Sequence, residues 1–258
     1  MTRSLERNVL LEASGITMAF GAFKAIDNAS VSVNEGEILG LIGPNGAGKS
    51  TFFNCLTGDL TPTAGTVRFR GTDVTRLAPE DRAALGIARS FQVPLTFEGM
   101  TVLDNVMIGA FLRTPKTSDA RDRARAVIER VGLAPFADLP ARSLGTPGRK
   151  RLEIARALAT EPNVLLLDEA MAGLNPAEVR QAIELIRKIH ATGITLVIVE
   201  HIMEVIITLA ERVVVFHQGR QIADGSPAEV TRETRVVEAY LGKRGARAAQ
   251  RSSGQGAT

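Results

Sequence analysis

The stretch Gly43-Pro44-Asn45-Gly46-Ala47-Gly48-Lys49-Ser50-Thr51 constrains this chain more than any other. Its spacing is glycine, four residues, glycine, lysine, hydroxyl residue, and it follows the apolar run Ile38-Leu39-Gly40-Leu41-Ile42. The run predicts a strand and the segment Lys49 to Leu56 predicts a helix, so the stretch must form the turn between them. Glycines allow a turn tight enough to point several backbone N–H groups inward, where phosphate oxygens can accept from them. The start of the following helix adds partial positive charge at the same point. Lys49 is long enough to reach the β- and γ-phosphates of a nucleotide, and the Ser50 hydroxyl is a candidate ligand for Mg²⁺. The whole stretch from Gly43 to Thr51 is therefore a candidate nucleotide-binding loop.

With 258 residues, 45% of them hydrophobic, the chain has material for one large domain or two small ones with a true core. No apolar run reaches the roughly 18–20 residues of a membrane-spanning helix. Met1 to Val9 carries Arg3, Glu6 and Arg7 and lacks the apolar centre of a secretory signal, which leads to the expectation of a cytosolic chain. The single cysteine, Cys55, excludes an internal disulfide and is expected to be a small buried residue. A net charge of +3 suggests a nucleic-acid partner until its distribution is considered. Lys243, Arg244, Arg247 and Arg251 place +4 in the segment 243–258, which holds no acid, so residues 1–242 carry −1. The body is near neutral, which argues against nucleic acid. The Gly-, Ser-, Ala- and Gln-rich end reads as a basic disordered tail over 243–258.

The pattern along the chain predicts an α/β fold. Val9-Leu10-Leu11-Glu12, Ala29-Ser30-Val31-Ser32-Val33 and Thr66 to Gly71 read as short strands of an N-terminal antiparallel sheet. Ala124, Val127, Ile128 and Val131 share one helical face within the helix-rich span 101–159. Val164 to Leu167 and Ile194 to Val199 are continuous apolar runs, as parallel strands buried on both faces require. Between them Val179, Ala182, Ile183, Ile186 and Ile189 line one helix, which Asn175, Pro176 and Glu178 start with a capping box. Ser226-Pro227-Ala228-Glu229 repeats that start signal.

A second motif turns nucleotide binding toward hydrolysis. Val164-Leu165-Leu166-Leu167-Asp168-Glu169 is an apolar strand ending in two acids, and strand ends beside a phosphate loop are where ligands gather in open α/β sheets. Asp168 is placed to hold Mg²⁺ through water, and Glu169 to polarise an attacking water. An Asp-Glu pair also serves as a helix cap elsewhere; the apolar run before it and the phosphate loop upstream favour the hydrolytic reading.

With these two motifs in order, the chain resembles the ATP-binding subunits of ABC transporters over about residues 9–242. The resemblance implies a P-loop NTPase (RecA-like) core, an N-terminal antiparallel β subdomain and an α-helical subdomain inserted at about 93–159. Gln92, in Arg89-Ser90-Phe91-Gln92, matches the family's Q-loop glutamine, which approaches the metal and the attacking water. His201, after Val199-Glu200, matches the switch histidine that contacts the γ-phosphate. Ala172-Gly173-Leu174-Asn175 matches the D-loop, and Arg151 to Leu158 the helix after the family signature. Phe20 falls where an aromatic ring stacks on adenine. His190 and His217 match nothing and are expected to be structural or surface residues. The resemblance thus implies ATP and Mg²⁺, with Lys49, Gln92, Glu169 and His201 catalytic and Ser50, Gln92 and Asp168 around the metal.

One motif departs from the family. The usual signature is Leu-Ser-Gly-Gly-Gln, and this chain has Leu144-Gly145-Thr146-Pro147-Gly148. The serine hydroxyl is missing at Gly145, and Pro147 removes a backbone N–H. In the family this segment completes the partner's ATP site across a dimer. The departure predicts two unequal ATP sites in a heterodimer with a second cassette, a homodimer being the alternative. Arg151 to Arg156, Ala172 to Pro176, Val199-Glu200-His201 and the ending Val237 to Gly242 look most like the branched-chain amino acid importer ATPases. That likeness implies transmembrane permease subunits docked near residues 93–110, a periplasmic solute-binding protein acting through them, and a place on the cytoplasmic face of the inner membrane. The alternatives are a cassette driving lipid or lipopolysaccharide export and a soluble ABC ATPase outside transport.

Overall fold

The computed structural model describes residues 8–90 and 96–240. Gln92 and the basic segment 243–258 lie outside the described residues. The chain opens with a hairpin of β1 (Val9–Phe20) and β2 (Phe23–Asn34), and β3 (Ile38–Ile42) leads through the glycine-rich turn into α1 (Lys49–Thr57). β4 (Ala64–Phe69), β5 (Thr72–Asp73), α2 (Pro79–Leu85) and β6 (Ile87–Arg89) follow. A helical stretch holds α3 (Val102–Ala110), α4 (Thr117–Arg130) and α5 (Thr146–Leu158). The chain then alternates through β7 (Val164–Asp168), α6 (Pro176–His190), β8 (Thr195–Val199) and α7 (Met203–Leu209) to β9 (Arg212–His217), β10 (Arg220–Gly225) and α8 (Pro227–Val230).

Among the described residues these strands form two sheets, one ordered β2-β1-β4-β5 and one ordered β10-β9-β3-β8-β7-β6. The first is antiparallel; in the second, β6, β7, β8, β3 and β9 run parallel and β10 turns back. The N-terminal strands are longer than the short runs expected from sequence. Register shifts near Ala13–Ile16 and Ile16–Met18 break the two-residue alternation, so one bulged strand looks like separate pieces.

Side-chain alternation on the central strands feeds two cores at once. Ile38 and Ile42, Leu165 and Leu167, Leu196 and Ile198, and Val213 and Val215 face the helices. Leu39 and Leu41, Val164 and Leu166, Val197 and Val199, and Val214 and Phe216 face the other sheet. α1 fills the space between the sheets, with Phe52, Phe53, Cys55 and Leu56 buried there and the Phe52 and Phe216 rings 5.0 Å apart. α3, α4 and α5 pack through Val102, Val106, Ile128 and Leu152, which join the helix-side core of the central sheet. Asn175 starts α6 through the expected capping box with Glu178, and Ser226 starts α8 through one with Glu229. The C-terminal ends of β3, β7 and β8 therefore emerge side by side, because these strands are parallel and adjacent.

Candidate functional site

The glycine-rich turn is fixed by what its glycines touch. Gly43 has φ 151°, and a Cβ there would lie 2.2 Å from the Phe216 carbonyl oxygen. Gly48 has φ 100°, and a Cβ there would lie 2.6 Å from the Ala25 carbonyl oxygen. Both positions combine a backbone region that side chains rarely adopt with no room for one. Gly48 is also the cap residue of α1, and no side chain caps that helix. The first N–H groups of α1 are left for an external acceptor, and Ser50 is exposed in the same turn.

Lys49 is 7% exposed and folds back over the turn, its Nζ donating to the Gly43 carbonyl at 2.6 Å and to the Pro44 carbonyl at 3.1 Å. Burial lowers its pKa, while the charges of Glu169 and Asp168 oppose that shift. The lysine and both acids therefore share one electrostatic environment. The far end of α1 is held by Arg82, which is fully buried and donates from Nη1 to the carbonyls of Cys55 and Leu56.

Asp168 ends β7 at 5% exposure. Burial raises its pKa, Arg89 and Lys49 pull it down, and Glu169 pushes it up. The Arg89 guanidinium lies 3.9 Å from the Asp168 carboxylate, donates to Asn54 Oδ1 at 2.9 Å and sits 5.0 Å from the centre of the Phe53 ring. The Asp168 amide donates to the Ser90 hydroxyl at 3.2 Å. Arg89 and Ser90 thus join the end of β6 to Asp168 and α1. Their place beside Gln92 in the sequence gives neither of them a part, because their partners lie far along the chain.

Glu169 follows with φ 47°, and its amide donates to the Val199 carbonyl at 2.9 Å. His201, just beyond β8, places Nδ1 at 3.4 Å from Glu169 Oε1. Lys49, Asp168, Glu169 and His201 are thereby gathered at the same ends of β3, β7 and β8. Phe20 lies at the tip of the first hairpin, 51% exposed, opposite Phe23, which is 66% exposed. Phe23 is a second aromatic candidate that the sequence did not single out. His190 donates from Nε2 to the Gly36 carbonyl at 2.9 Å, in keeping with a structural role.

The donor set suits a hydrated divalent cation held between protein and phosphate oxygens. One exposed hydroxyl and one buried carboxylate are available, and among the described residues no group of three or more His, Cys, Asp or Glu could hold a metal unaided. Mg²⁺ characteristically keeps waters and phosphates in its shell and takes few protein ligands. The altered signature has a different setting. Gly145 caps α5 without a side-chain bond, Thr146 is exposed, and Pro147 occupies the first turn, where its missing N–H costs no intrahelical bond.

Comparison with known proteins agrees with this geometry. The family model described as ABC transporter matches residues 26–172, and that described as Branched-chain amino acid ATP-binding cassette transporter matches residues 220–246. The High-affinity branched-chain amino acid transport ATP-binding protein LivG of Salmonella typhimurium is 40% identical over 252 residues, covering 91% of this chain and 98% of LivG. The Lipopolysaccharide export system ATP-binding protein LptB of Acidithiobacillus ferridurans is 35% identical over 235 residues, covering 90% of this chain and 97% of LptB. The crystal structure of the ADP conformation of MJ1267, an ATP-binding cassette of an ABC transporter, matches with a TM-score of 0.83 and 32% identity, over 91% of this chain and 99% of MJ1267. A phosphate loop facing Asp168, Glu169 and His201, in a fold and sequence shared with these cassettes, places the chain in the ABC transporter family as an ATP-binding subunit.

Proposed function

We propose that the chain hydrolyses ATP to power an importer of branched-chain amino acids or related small solutes. The observation that carries the hydrolytic part is the meeting of Glu169 and His201 at 3.4 Å, beside Lys49 and Asp168. Support for the solute class comes from the likeness to LivG and from the match over residues 220–246. The export alternative has support in the likeness to LptB, which is lower in identity than that to LivG.

In this reading the adenine stacks near Phe20, and the phosphates lie on the backbone of Gly43, Pro44, Asn45, Gly46, Ala47, Gly48, Lys49, Ser50 and Thr51. Ser50 and Asp168 would hold Mg²⁺, together with Gln92. When bound, the ion would neutralise phosphate charge. Glu169 accepts the proton of a water whose oxygen attacks the γ-phosphorus, and the bond to the ADP oxygen breaks in line. Lys49 and His201 stabilise the negative charge on the transferring group. The products are ADP and phosphate.

Two cassettes close head to tail, the second being a different subunit or another copy. Gly145 and Pro147 leave the partner's γ-phosphate with fewer donors than the usual signature would supply, so the two sites are unequal. Permease subunits dock in the groove between the core and the helical stretch. That groove, about 360 Å³, is lined by Ile108 and Leu112 on one side and by Glu80 and Arg89 on the other. A periplasmic solute-binding protein delivers cargo to the permease, and the cassettes work at the cytoplasmic face of the inner membrane without nucleic acid.

The test is Glu169→Gln in the assembled transporter. ATP binding is retained, and both phosphate release and branched-chain amino acid uptake are lost. Continued hydrolysis would remove Glu169 as the base, and hydrolysis without amino acid uptake by the unaltered complex would remove the solute class.

A further inference from the structure

Glu200 has no part in the chemistry above, yet it is among the most enclosed polar groups in the chain. It follows β8 and is 0% exposed. Its Oε1 accepts from the Met171 amide at 2.9 Å, and its Oε2 is buried with no hydrogen-bond partner among the described residues. Burial raises its pKa, with the Met171 bond opposing. The five strand residues before it, Thr195 to Val199, are all buried and mostly aliphatic. An aliphatic side chain after them would avoid the desolvation that a carboxyl incurs.

Met171 belongs to the turn that carries Glu169. A non-glycine residue at φ 47° persists only where its surroundings hold it. Three hydrogen bonds hold this one. The Glu169 amide donates to Val199 of β8 at 2.9 Å, and the Met171 amide donates to Glu200. The Glu169 carbonyl accepts from Lys150 Nζ at 3.2 Å. Lys150 is 7% exposed and lies on α5, the helix that begins at the altered signature. A buried acid from the His201 segment and a buried lysine from the signature helix therefore grip neighbouring peptide groups of one turn. The start of α5 packs on that turn, where Pro147 and Lys150 line a small cavity with Ala170, Met171 and Leu174.

We propose that Glu200 and Lys150 are positioning residues that fix the Glu169–Met171 turn and couple it to the segments carrying His201 and the signature. The proposal rests on Glu169 being the base. Their hydrogen bonds to Glu169 and Met171 go to backbone groups of that turn, and none goes to the phosphate loop. They therefore act on the rate of the chemical step and leave nucleotide binding unchanged.

The experiment measures kcat, KM for ATP and thermal melting of the full-length chain with Mg²⁺ and ATP. Misplacing a reacting group by about 1 Å can cost on the order of 100-fold in rate. A kcat loss of that order is expected for Glu200→Ala and Lys150→Ala, with KM moved less than about threefold. Glu200→Gln keeps an acceptor for Met171 and is expected to retain most of the rate. A lowered melting temperature with unchanged kcat per folded molecule would overturn the proposal, as would a rise in KM alone. If Glu200→Ala does not fold, Lys150→Ala and Glu200→Gln decide: a wild-type kcat for Lys150→Ala, or a Glu200→Gln rate as low as that expected for Glu200→Ala, overturns it. Glu169→Gln separates the two levels. If that variant still turns over, the base assignment fails; if it is inactive while Glu200→Ala and Lys150→Ala run at the wild-type rate, this proposal alone fails.

Discussion

The Nδ1 of His201 lies 3.4 Å from the Oε1 of Glu169, and the two residues come from the ends of adjacent parallel strands. A protonated imidazole there draws the carboxylate toward it, and a neutral one can orient it through a hydrogen bond. Either contact ties the proposed base to the histidine proposed to face the γ-phosphate.

The pair is therefore expected to act as a unit. Glu169→Gln should lower kcat by about 100-fold or more, the range of a lost general base. His201→Ala should also lower it, and the double variant should be little slower than the slower single one, because residues acting together are not additive. Steady-state phosphate release gives all three numbers; losses that multiply would show that the two residues act independently.

Lys49 reaches the Gly43 and Pro44 carbonyls from a buried position. Lys49→Ala removes both bonds and the cation proposed to meet the phosphates. Nucleotide affinity should fall by about tenfold or more, the loss of roughly one charge-assisted contact. Titration with a fluorescent ATP analogue measures it; an unchanged affinity would contradict this.

Gly43→Ala drives a methyl group to 2.2 Å from the Phe216 carbonyl oxygen. The loop or β9 must shift, at a cost of about 3 kcal/mol, the upper end of usual overpacking. Chemical denaturation should show that loss. Gly46→Ala is the comparison: nothing lies within 4 Å of its added Cβ, and only its φ of 75° opposes it. It should be the milder of the two.

Glu37, at 1% exposure, accepts from Arg212 Nε at 2.7 Å and from the Asn34 amide at 2.8 Å. Burial alone would raise its pKa, but the bonds from Arg212 and Asn34 outweigh burial and hold it below the ordinary carboxylate value. A folded value below the unfolded one gives stability that is present above the ordinary value of about 4.3 and lost as pH falls through the folded value. Melting temperature should drop across that acid window, and Glu37→Gln should flatten the drop. Breaking the buried pair should also cost about 3 kcal/mol at neutral pH.

Much of the site could be seen in the sequence because its demands are local. Gly43, Gly48 and Lys49 sit a few residues apart in one turn, so their spacing alone states the need for a tight backbone and a cation. The apolar runs ending at Asp168 and Val199 announce strands buried on both faces, and parallel strands bring their ends together. The capping boxes at Asn175 and Ser226 were legible for the same reason, since each is complete within four residues.

Other features depend on partners that no local pattern specifies. Arg82 looks like an ordinary helix-surface arginine, yet it is fully buried and bonds to Cys55 and Leu56, more than twenty-five residues upstream. Arg89 meets Asp168, and Glu200 meets Met171, in the same non-local way. The sequence by itself determined the phosphate loop, the acidic strand end and the two-faced strands, because each is a demand of backbone geometry within one segment. Only the tertiary structure decided which charged groups are buried and what they hold, because the cost of burying a charge is met by partners that packing selects from distant segments.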